Sequence, residues 1–184
     1  MEKKLNLGCG GDTKKGFLNV DIVKYPGVNK IMNIDKFPWS LESNSFDYVL
    51  CSHILEYVKD FRKTIVEIHR ICNNGALIEI FAPYFMSTKY FGEPDHKIPF
   101  SYRTFDNYTS PRRVTFYNKW RLKSRTDYGE GFLFKTIDKK YIFDRNPFIA
   151  WIGFFHNLFP LFYERFVPAF LPPMEVYFKL QVKK

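Results

Sequence analysis

The stretch Leu5-Asn6-Leu7-Gly8-Cys9-Gly10-Gly11-Asp12 decides the fold. The short apolar run Lys4–Leu7 predicts a strand, and three glycines follow it almost at once. Glycine adopts left-handed backbone conformations without strain and lets a ligand approach the main chain closely. The same glycines would also suit an ordinary tight turn, so the interpretation depends on the rest of the chain.

Four further apolar runs predict strands at Phe17–Ile22, Lys30–Ile34, Phe46–Ser52 and Ala76–Phe81. Such closely apolar runs are typical of strands buried on both faces. Between the last two, apolar residues recur at spacings of three and four from Val58 to Cys72, which predicts a helix capped by Asn74 or Gly75. A strand, a helix and a strand form a right-handed parallel crossover. The first half is therefore α/β with a parallel sheet.

After Pro83 the chain becomes rich in aromatic residues. The segment Tyr84–Asp106 is predicted to be loop-like, and Asn118–Thr126 alternates as a half-buried strand with a basic outer face. Glu175–Val182 alternates as a final strand. Before it lies Phe148–Leu171, which is strongly apolar but interrupted by polar residues. We interpret this segment as a lid and helix that bury aromatic side chains against the sheet; the alternative is an amphipathic element on a membrane surface.

A length of 184 residues suits a single domain, with a core over residues 1–83 and further elements over 84–184. The net charge of +9 is unevenly distributed. Residues 1–92 contain 12 basic and 10 acidic residues, and residues 93–184 contain 16 and 9. A basic second half favours anionic partners, namely an anionic small molecule, nucleic acid or an anionic membrane face. It would equally keep an aromatic-rich chain in solution.

The cysteines Cys9, Cys51 and Cys72 show no pairing pattern, so neither a disulfide framework nor a structural zinc site is expected. No other metal-ligand spacing is present. The sequence has no apolar signal region and no run of about 18 apolar residues that would span a membrane. Reduced thiols without a targeting signal predict a cytoplasmic protein, with peripheral membrane contact as an alternative.

Two carboxylates follow predicted strands. Asp21 closes the second run, where a carboxylate can accept hydrogen bonds from ribose hydroxyls, and Asp35 closes the third, near where an adenine amino group would lie. With the glycine turn, three strand ends then have the residue types that a nucleoside-containing cofactor needs. A nicotinamide dinucleotide is the competing interpretation, but the turn lacks the third glycine spacing and Asp21 comes too early.

In combination these motifs resemble the S-adenosylmethionine-dependent methyltransferases of the Rossmann-like class, and within them the small methyltransferase type 11 group. The motifs are Leu5–Gly10, Phe17–Ile22, Asp35–Trp39, Asn44–Val49 and Ser52–Val58. They cover roughly the first half of the chain. The resemblance implies an α/β fold with a mostly parallel seven-stranded sheet, an antiparallel last strand and helices on both faces.

The resemblance also implies roles for individual residues. Gly8 and Gly10 pass under the methionine part of the cofactor, and Asp21 holds the ribose hydroxyls. Ser52 and His53 lie near the sulfonium and the transferred methyl group. The predicted cofactor-binding residues are Asn6, Gly8, Cys9, Gly10, Asp21, Ile22, Asp35, Lys36, Ser52 and His53, with Asp35 and Lys36 beside the adenine.

The chain departs from the family pattern in two places. Asn6 stands where the family often has a carboxylate, so it can bond an ammonium group but supplies no charge. The segment between Gly11 and Phe17 is too short for the usual helix after the first strand. The cofactor cleft is therefore expected to be shallower on that side.

Methyl transfer is an in-line displacement, so the protein mainly positions the nucleophile and can remove its proton. His96 and His53 are the candidate bases. The stretch Gly92–Phe100 resembles a family loop with an acidic-proline-x-histidine pattern, which favours His96. A loop histidine that is exposed or bonded to Asp95 is the alternative.

The acceptor atom is predicted to be oxygen or nitrogen on a small molecule, a sugar or a lipid-linked glycan. One alternative is an RNA-binding protein or RNA methyltransferase with the same fold, using the basic and aromatic residues of 112–125. Another is a methyltransferase that binds membranes peripherally and acts on a lipid carrier.

Overall fold

The computed structural model describes residues 2–109, 133–143, 147–166 and 171–184. The strands are β1 Lys4–Leu7, β2 Leu18–Asp21, β3 Lys30–Ile31, β4 Phe46–Ser52, β5 Cys72–Pro83, β6 Phe134–Ile142 and β7 Glu175–Val182. The helices are α1 Phe61–Ile71, α2 Thr88–Phe91, α3 Pro147–Leu158 and α4 Pro160–Phe166. The strands form one sheet in the order β3-β2-β1-β4-β5-β7-β6.

The sheet is mostly parallel, which confirms the predicted fold class. Strands β1 to β5 pair in parallel with one another, and β7 runs antiparallel to both β5 and β6. The bounds of β1, β4 and β7 agree with the prediction, whereas β2 and β3 are shorter and β5 is longer. Strand β6 was not predicted, and the predicted strand Asn118–Thr126 lies outside the described residues.

Burial alternates along the central strands. Val49 and Ile78 are 0% and 1% exposed, whereas Tyr48 and Glu79, which face the other side of the sheet, are half-buried. The prediction that the strands are buried on both faces was therefore wrong for β4 and β5, whereas Leu5, Asn6 and Leu7 of β1 are all buried. The connections after β1, β2 and β3, which are fully described, contain no helix that could cover the second face.

An asparagine network replaces the helix that usually follows β1. Asn6 and Asn19 are paired neighbours on β1 and β2, and both are buried. Nδ2 of Asn6 donates to Oδ1 of Asn19 at 3.1 Å and to the carbonyl oxygen of Asp12 at 2.9 Å. Asn19 also bonds both the N–H and the carbonyl of Lys14, at 2.8 and 3.0 Å. Side-chain amides thus satisfy the backbone of this short connection.

Helix α1 begins at the N-cap Asp60, whose side chain accepts a hydrogen bond from the N–H of Lys63. Ile65 and Ile68 lie on its buried face and join the core. The helix runs directly into β5 at Cys72, which caps it in an extended conformation. The predicted left-handed cap at Asn74 or Gly75 was therefore wrong.

Candidate active site

The carboxyl ends of β2, β1, β4 and β5 lie side by side at one edge of the sheet. Asp21 ends β2, Gly8 follows β1, and Ser52 ends β4. Neighbouring strands are about 4.8 Å apart, so the structure brings these residues together. Open α/β sheets bind ligands in the crevice outside these strand ends.

The turn after β1 is held against β2. The N–H groups of Gly8 and Cys9 both donate to the carbonyl oxygen of Val20, at 2.8 and 3.0 Å. Gly8 has a φ of +65°, and a Cβ there would lie 2.2 Å from Cγ1 of Ile54. The close approach of the turn to the segment after β4 therefore requires glycine. A Cβ on Gly10 would meet no atom within 4 Å, so the space beside it is open.

Asp21 is bonded to this glycine turn. Its Oδ2 accepts from the N–H of Gly10 at 2.7 Å, and its Oδ1 accepts from the N–H of Val23 at 2.9 Å. The next residue, Ile22, is 60% exposed. Burial, together with the negative charge of Asp21, raises the pKa of the Cys9 thiol, which is therefore neutral at pH 7. A fixed carboxylate beside an exposed apolar side chain can accept hydroxyl hydrogen bonds and pack against a ring.

Asp35 lies beyond the strand that was predicted to end with it. Strand β3 ends at Ile31, so Asp35 follows four residues later. Its Oδ1 accepts from the N–H of Lys59 at 2.8 Å, which joins it to the segment before α1. Lys36 is exposed. Asn6 is buried, and its amide nitrogen is already bonded within the asparagine network.

His53 lies between two carboxylates. Its Nε2 is 3.5 Å from Oε1 of Glu175, and its Nδ1 is 3.5 Å from Oε1 of Glu56. Hydrogen bonding to Glu175, and then to Glu56, raises the pKa of His53 to about 9. The pKa of Glu175 falls to about 2, because it is bonded to His53 and to Lys89. His53 is therefore a cation at neutral pH, and an imidazolium has no lone pair with which to remove a proton.

The sequence analysis missed the partners of His53. Glu56 follows His53 by three residues and is 0% exposed, so this spacing could have suggested the pair. Glu175 has no local signal, because it reaches the site only through the pairing of β7 with β5, where it lies opposite Pro83. Lys89 of α2 also bonds Glu175.

His96 is held in a tautomer suited to proton removal. Its Nδ1 lies 3.0 Å from the carbonyl oxygen of Tyr90. Because a carbonyl only accepts, Nδ1 carries the hydrogen of this bond, and in the neutral imidazole Nε2 is then the nitrogen with the lone pair. Nε2 is buried and has no hydrogen-bond partner. The ring packs against Tyr57 and Tyr90, with centroid distances of 4.7 and 5.4 Å.

The part of the chain that contains most of this geometry matches a known protein family. Residues 5–80 match the family model of the methyltransferase domain. The match lies in the first half of the chain and covers less than half of its length. The matched residues contain the glycine turn, Asp21, Asp35, Ser52 and His53, but not His96. No curated protein sequence matches the chain.

Solved structures resemble the chain over nearly its whole length. An S-adenosylmethionine-dependent methyltransferase from Archaeoglobus fulgidus has a TM-score of 0.60 at 15% identity, over 98% of this chain and 86% of that one. The 1,6-didemethyltoxoflavin-N1-methyltransferase of Burkholderia thailandensis, with bound 1,6-didemethyltoxoflavin and S-adenosylhomocysteine, has a TM-score of 0.52 at 10% identity, over 98% and 71%. The cyclase SpnF has a TM-score of 0.52 at 12% identity, over 99% and 74%. These identities show a shared fold, which several reactions use.

The predicted resemblance to S-adenosylmethionine-dependent methyltransferases is confirmed, since residues 5–80 match the methyltransferase domain and the chain shares its fold with such an enzyme. The residues of this chain fit S-adenosylmethionine as a cofactor. Open space lies beside Gly10 and Gly11, the carboxylate of Asp21 is fixed at the edge of that turn, and Ile22 is exposed next to it. A nucleoside with hydroxyls and a flat base needs these three features.

Within the described ranges, no group of three or more His, Cys, Asp or Glu residues could hold a metal ion. Burial raises the pKa values of the Cys51 and Cys72 thiols, so both are neutral. None of the helices in the described part of the chain is long and apolar enough to cross a membrane.

Proposed function

We propose that this protein transfers a methyl group from S-adenosylmethionine to an oxygen or nitrogen atom of a small-molecule, sugar or lipid-linked acceptor. The observation that supports it best is the hydrogen bond between Gly10 and Asp21. This bond joins the open glycine turn after β1 to the carboxylate that ends β2. The ligand can therefore approach the backbone of the turn closely while its hydroxyl groups donate hydrogen bonds to the carboxylate. The neighbour with a named acceptor binds a small molecule.

The first half of the chain binds the cofactor in this proposal. Gly8, Cys9 and Gly10 form the floor, Asp21 accepts the ribose hydroxyls, and Ile22 packs against the base. Asp35 and Lys36 lie at the base edge, and Asn6 supports the floor from below through Asn19. When bound, the cofactor supplies an electrophilic methyl group on a sulfonium.

His96 is the proposed general base. Its Nδ1–H bond to Tyr90 fixes the ring, so Nε2 presents the lone pair that accepts the acceptor's proton. The loop around it is anchored because the N–H of Lys97 donates to the carbonyl oxygen of Glu56 at 2.7 Å. Leaving the buried Nε2 of His96 without a hydrogen-bond partner costs free energy. A hydroxyl or amine of the molecule to be methylated would supply that hydrogen bond.

His53 has a different role in this proposal. Its positive charge, balanced by Glu56 and Glu175, fixes the end of β4 beside Ser52. The His53 imidazolium therefore orients the site and does not remove a proton. Together with Lys89 the cluster is neutral overall, so it does not itself favour an anionic acceptor. The expectation of an anionic acceptor rests instead on the basic second half of the sequence.

RNA binding is the weaker alternative. The basic residues of 112–125 that suggested it lie outside the described residues, and none of the solved structures compared above is described as acting on RNA. Salt-sensitive RNA binding without any affinity for S-adenosylhomocysteine would favour this alternative.

The proposed function is tested by calorimetry and by methyl transfer. We expect S-adenosylhomocysteine to bind the purified protein with micromolar affinity in the absence of nucleic acid. Transfer of labelled methyl from S-adenosylmethionine is then measured with panels of hydroxylated and aminated small molecules, glycans and lipid-linked glycans. Failure to bind S-adenosylhomocysteine would overturn the proposal. Binding without transfer to any panel would overturn the proposed acceptor class and leave the cofactor site in place.

A further inference from the structure

The helices α3 and α4 carry large apolar side chains on their outer side. We call these residues the aromatic face; they are Trp151, Phe154, Leu158, Phe159, Phe162 and Phe166, each between 54% and 69% exposed. Their spacing of three and four puts them on one side of each helix. The prediction that the aromatic residues of this segment pack against the sheet was wrong for the five aromatic members of this face.

Two polar side chains of the same helices, Asn157 and Glu164, point into the protein. Oδ1 of Asn157 accepts from the N–H of Tyr141 at 2.8 Å, and its Nδ2 donates to the Tyr141 carbonyl oxygen at 3.0 Å. The edge strand β6 is thereby bonded by a side-chain amide. Oε1 of Glu164 accepts from the N–H of Tyr102 at 2.9 Å. The polarity of the two helices is therefore the reverse of that expected for helices facing water.

Close packing fixes this orientation. A Cβ on Gly153 would lie 2.5 Å from Cδ2 of Phe143, so α3 cannot rotate there without a clash. The His156 ring lies 4.2 Å from the ring of Tyr163, which is 1% exposed. The aromatic face is therefore a fixed surface of the folded protein.

The charges around the aromatic face select its partner. Between Asn146 and Phe166 the only charged residues are Glu164 and Arg165. Glu164 is directed inward, and Arg165 is exposed. Within α3 and α4, an apolar surface rich in Phe and Trp that has one exposed cation and no exposed carboxylate complements an anionic phospholipid surface.

We propose that the aromatic face binds the surface of an anionic phospholipid bilayer, with α3 and α4 lying in the plane of the interface. Six large apolar side chains that are each more than half exposed in one segment differ from the scattered single ones common on soluble monomers, and Trp and Phe are suited to the interface between lipid and water. The two helices have 12 and 7 residues, so they lie on the bilayer and do not cross it. The cofactor site plays no part in this binding.

Vesicle flotation tests the proposal with the full chain and without cofactor. We expect the protein to float with vesicles of equimolar phosphatidylcholine and phosphatidylglycerol, and less with phosphatidylcholine alone. The double variant Trp151→Gln, Phe162→Gln should lower the partition coefficient roughly tenfold or more. Ile31→Gln is the matched control, because Ile31 is 57% exposed on the opposite edge of the sheet. Its partition coefficient should equal that of the wild type.

Fluorescence locates the contact. Lipids with brominated chains should quench Trp151, and the variant Trp151→Phe should float like the wild type but lose that quenching. The proposal is overturned if the wild type floats with neither vesicle, or if the double variant floats equally well. It is also overturned if light scattering shows a dimer that the double variant dissociates, because a second copy would then occupy this face. Binding of S-adenosylhomocysteine is measured separately, so failure here leaves the proposed function intact.

Discussion

The backbone nitrogen of Gly10 donates a 2.7 Å hydrogen bond to Oδ2 of Asp21, which ties the glycine turn of β1 to the end of β2. The carboxylate thus has two tasks, since it holds the turn and offers its remaining lone pairs to a ligand. A cofactor that bonds Asp21 therefore binds a turn that is already formed. This preorganisation reduces the entropy lost on binding.

Replacing Asp21 should impair cofactor binding first. For Asp21→Ala we expect the affinity for S-adenosylhomocysteine to fall roughly tenfold or more, because charge-assisted hydrogen bonds to the ribose are lost and the turn is released. Isothermal titration calorimetry measures this affinity. Asp12→Ala, which removes an exposed carboxylate from the same turn, should bind like the wild type. Unchanged affinity in Asp21→Ala would mean that the cofactor site is assigned wrongly.

Adding a methyl group at Gly8 should destabilise the fold. Its φ of +65° and the 2.2 Å approach of Ile54 Cγ1 leave no room for a side chain. We expect Gly8→Ala to lower the free energy of unfolding by about 2–4 kcal/mol, measured by urea denaturation. Gly11→Ala, where a Cβ meets nothing within 4 Å, is the matched control. Equal stability of the two variants would contradict the packing described here.

The charge of His53 should persist well above neutral pH. We expect an NMR titration of the imidazole to give a pKa of about 9, and Glu175→Gln to lower it towards the ordinary value of 6.5. Glu79→Gln, which removes a carboxylate bonded to Lys179 instead, should leave the titration unchanged. A wild-type pKa near 6.5 would contradict the ion pairs and restore His53 as a candidate base.

The same pair predicts how stability depends on pH. The pKa of His53 is raised on folding, so its contribution is complete below pH 6.5 and is lost as the pH rises through about 9. The pKa of Glu175 is lowered from 4.5 to about 2, so its contribution is complete above pH 4.5 and is lost as the pH falls towards 2. Denaturation of His53→Gln should show a smaller loss of stability between pH 6.5 and 9 than the wild type shows.

Turnover should depend on His96. Once an acceptor is identified, we expect His96→Ala to lower kcat roughly a hundredfold or more, because proton removal is lost, with little change in S-adenosylhomocysteine affinity. His69→Gln, which replaces a half-buried histidine of α1 whose ring bonds the carbonyl oxygen of Lys183, is the control and should turn over normally. An unchanged rate in His96→Ala would remove His96 from the mechanism.

Much of the cofactor half could be predicted because its signals are local. The apolar run Lys4–Leu7, the glycines after it and Asp21 lie close together in sequence, and a parallel sheet brings strand ends to one edge whatever the details. The predicted strand ended at Ile34, whereas β3 ends at Ile31, because only two of its residues pair with β2. The hydrogen bond from His96 to Tyr90 could not be predicted, since Asp95 was the nearer partner in sequence.

Backbone propensity and short-range spacing encode the α/β class, the glycine turn and the carboxylate that faces it, so these follow from the amino-acid order. The charge of His53 and the direction of the aromatic residues on α3 and α4 depend instead on long-range contacts in the folded chain. The first depends on Glu175, which the antiparallel pairing of β7 brings to the site from the far end of the chain. The second depends on which side of each helix finds hydrogen-bond partners. Hydrophobicity identifies apolar residues, but packing decides which way they face.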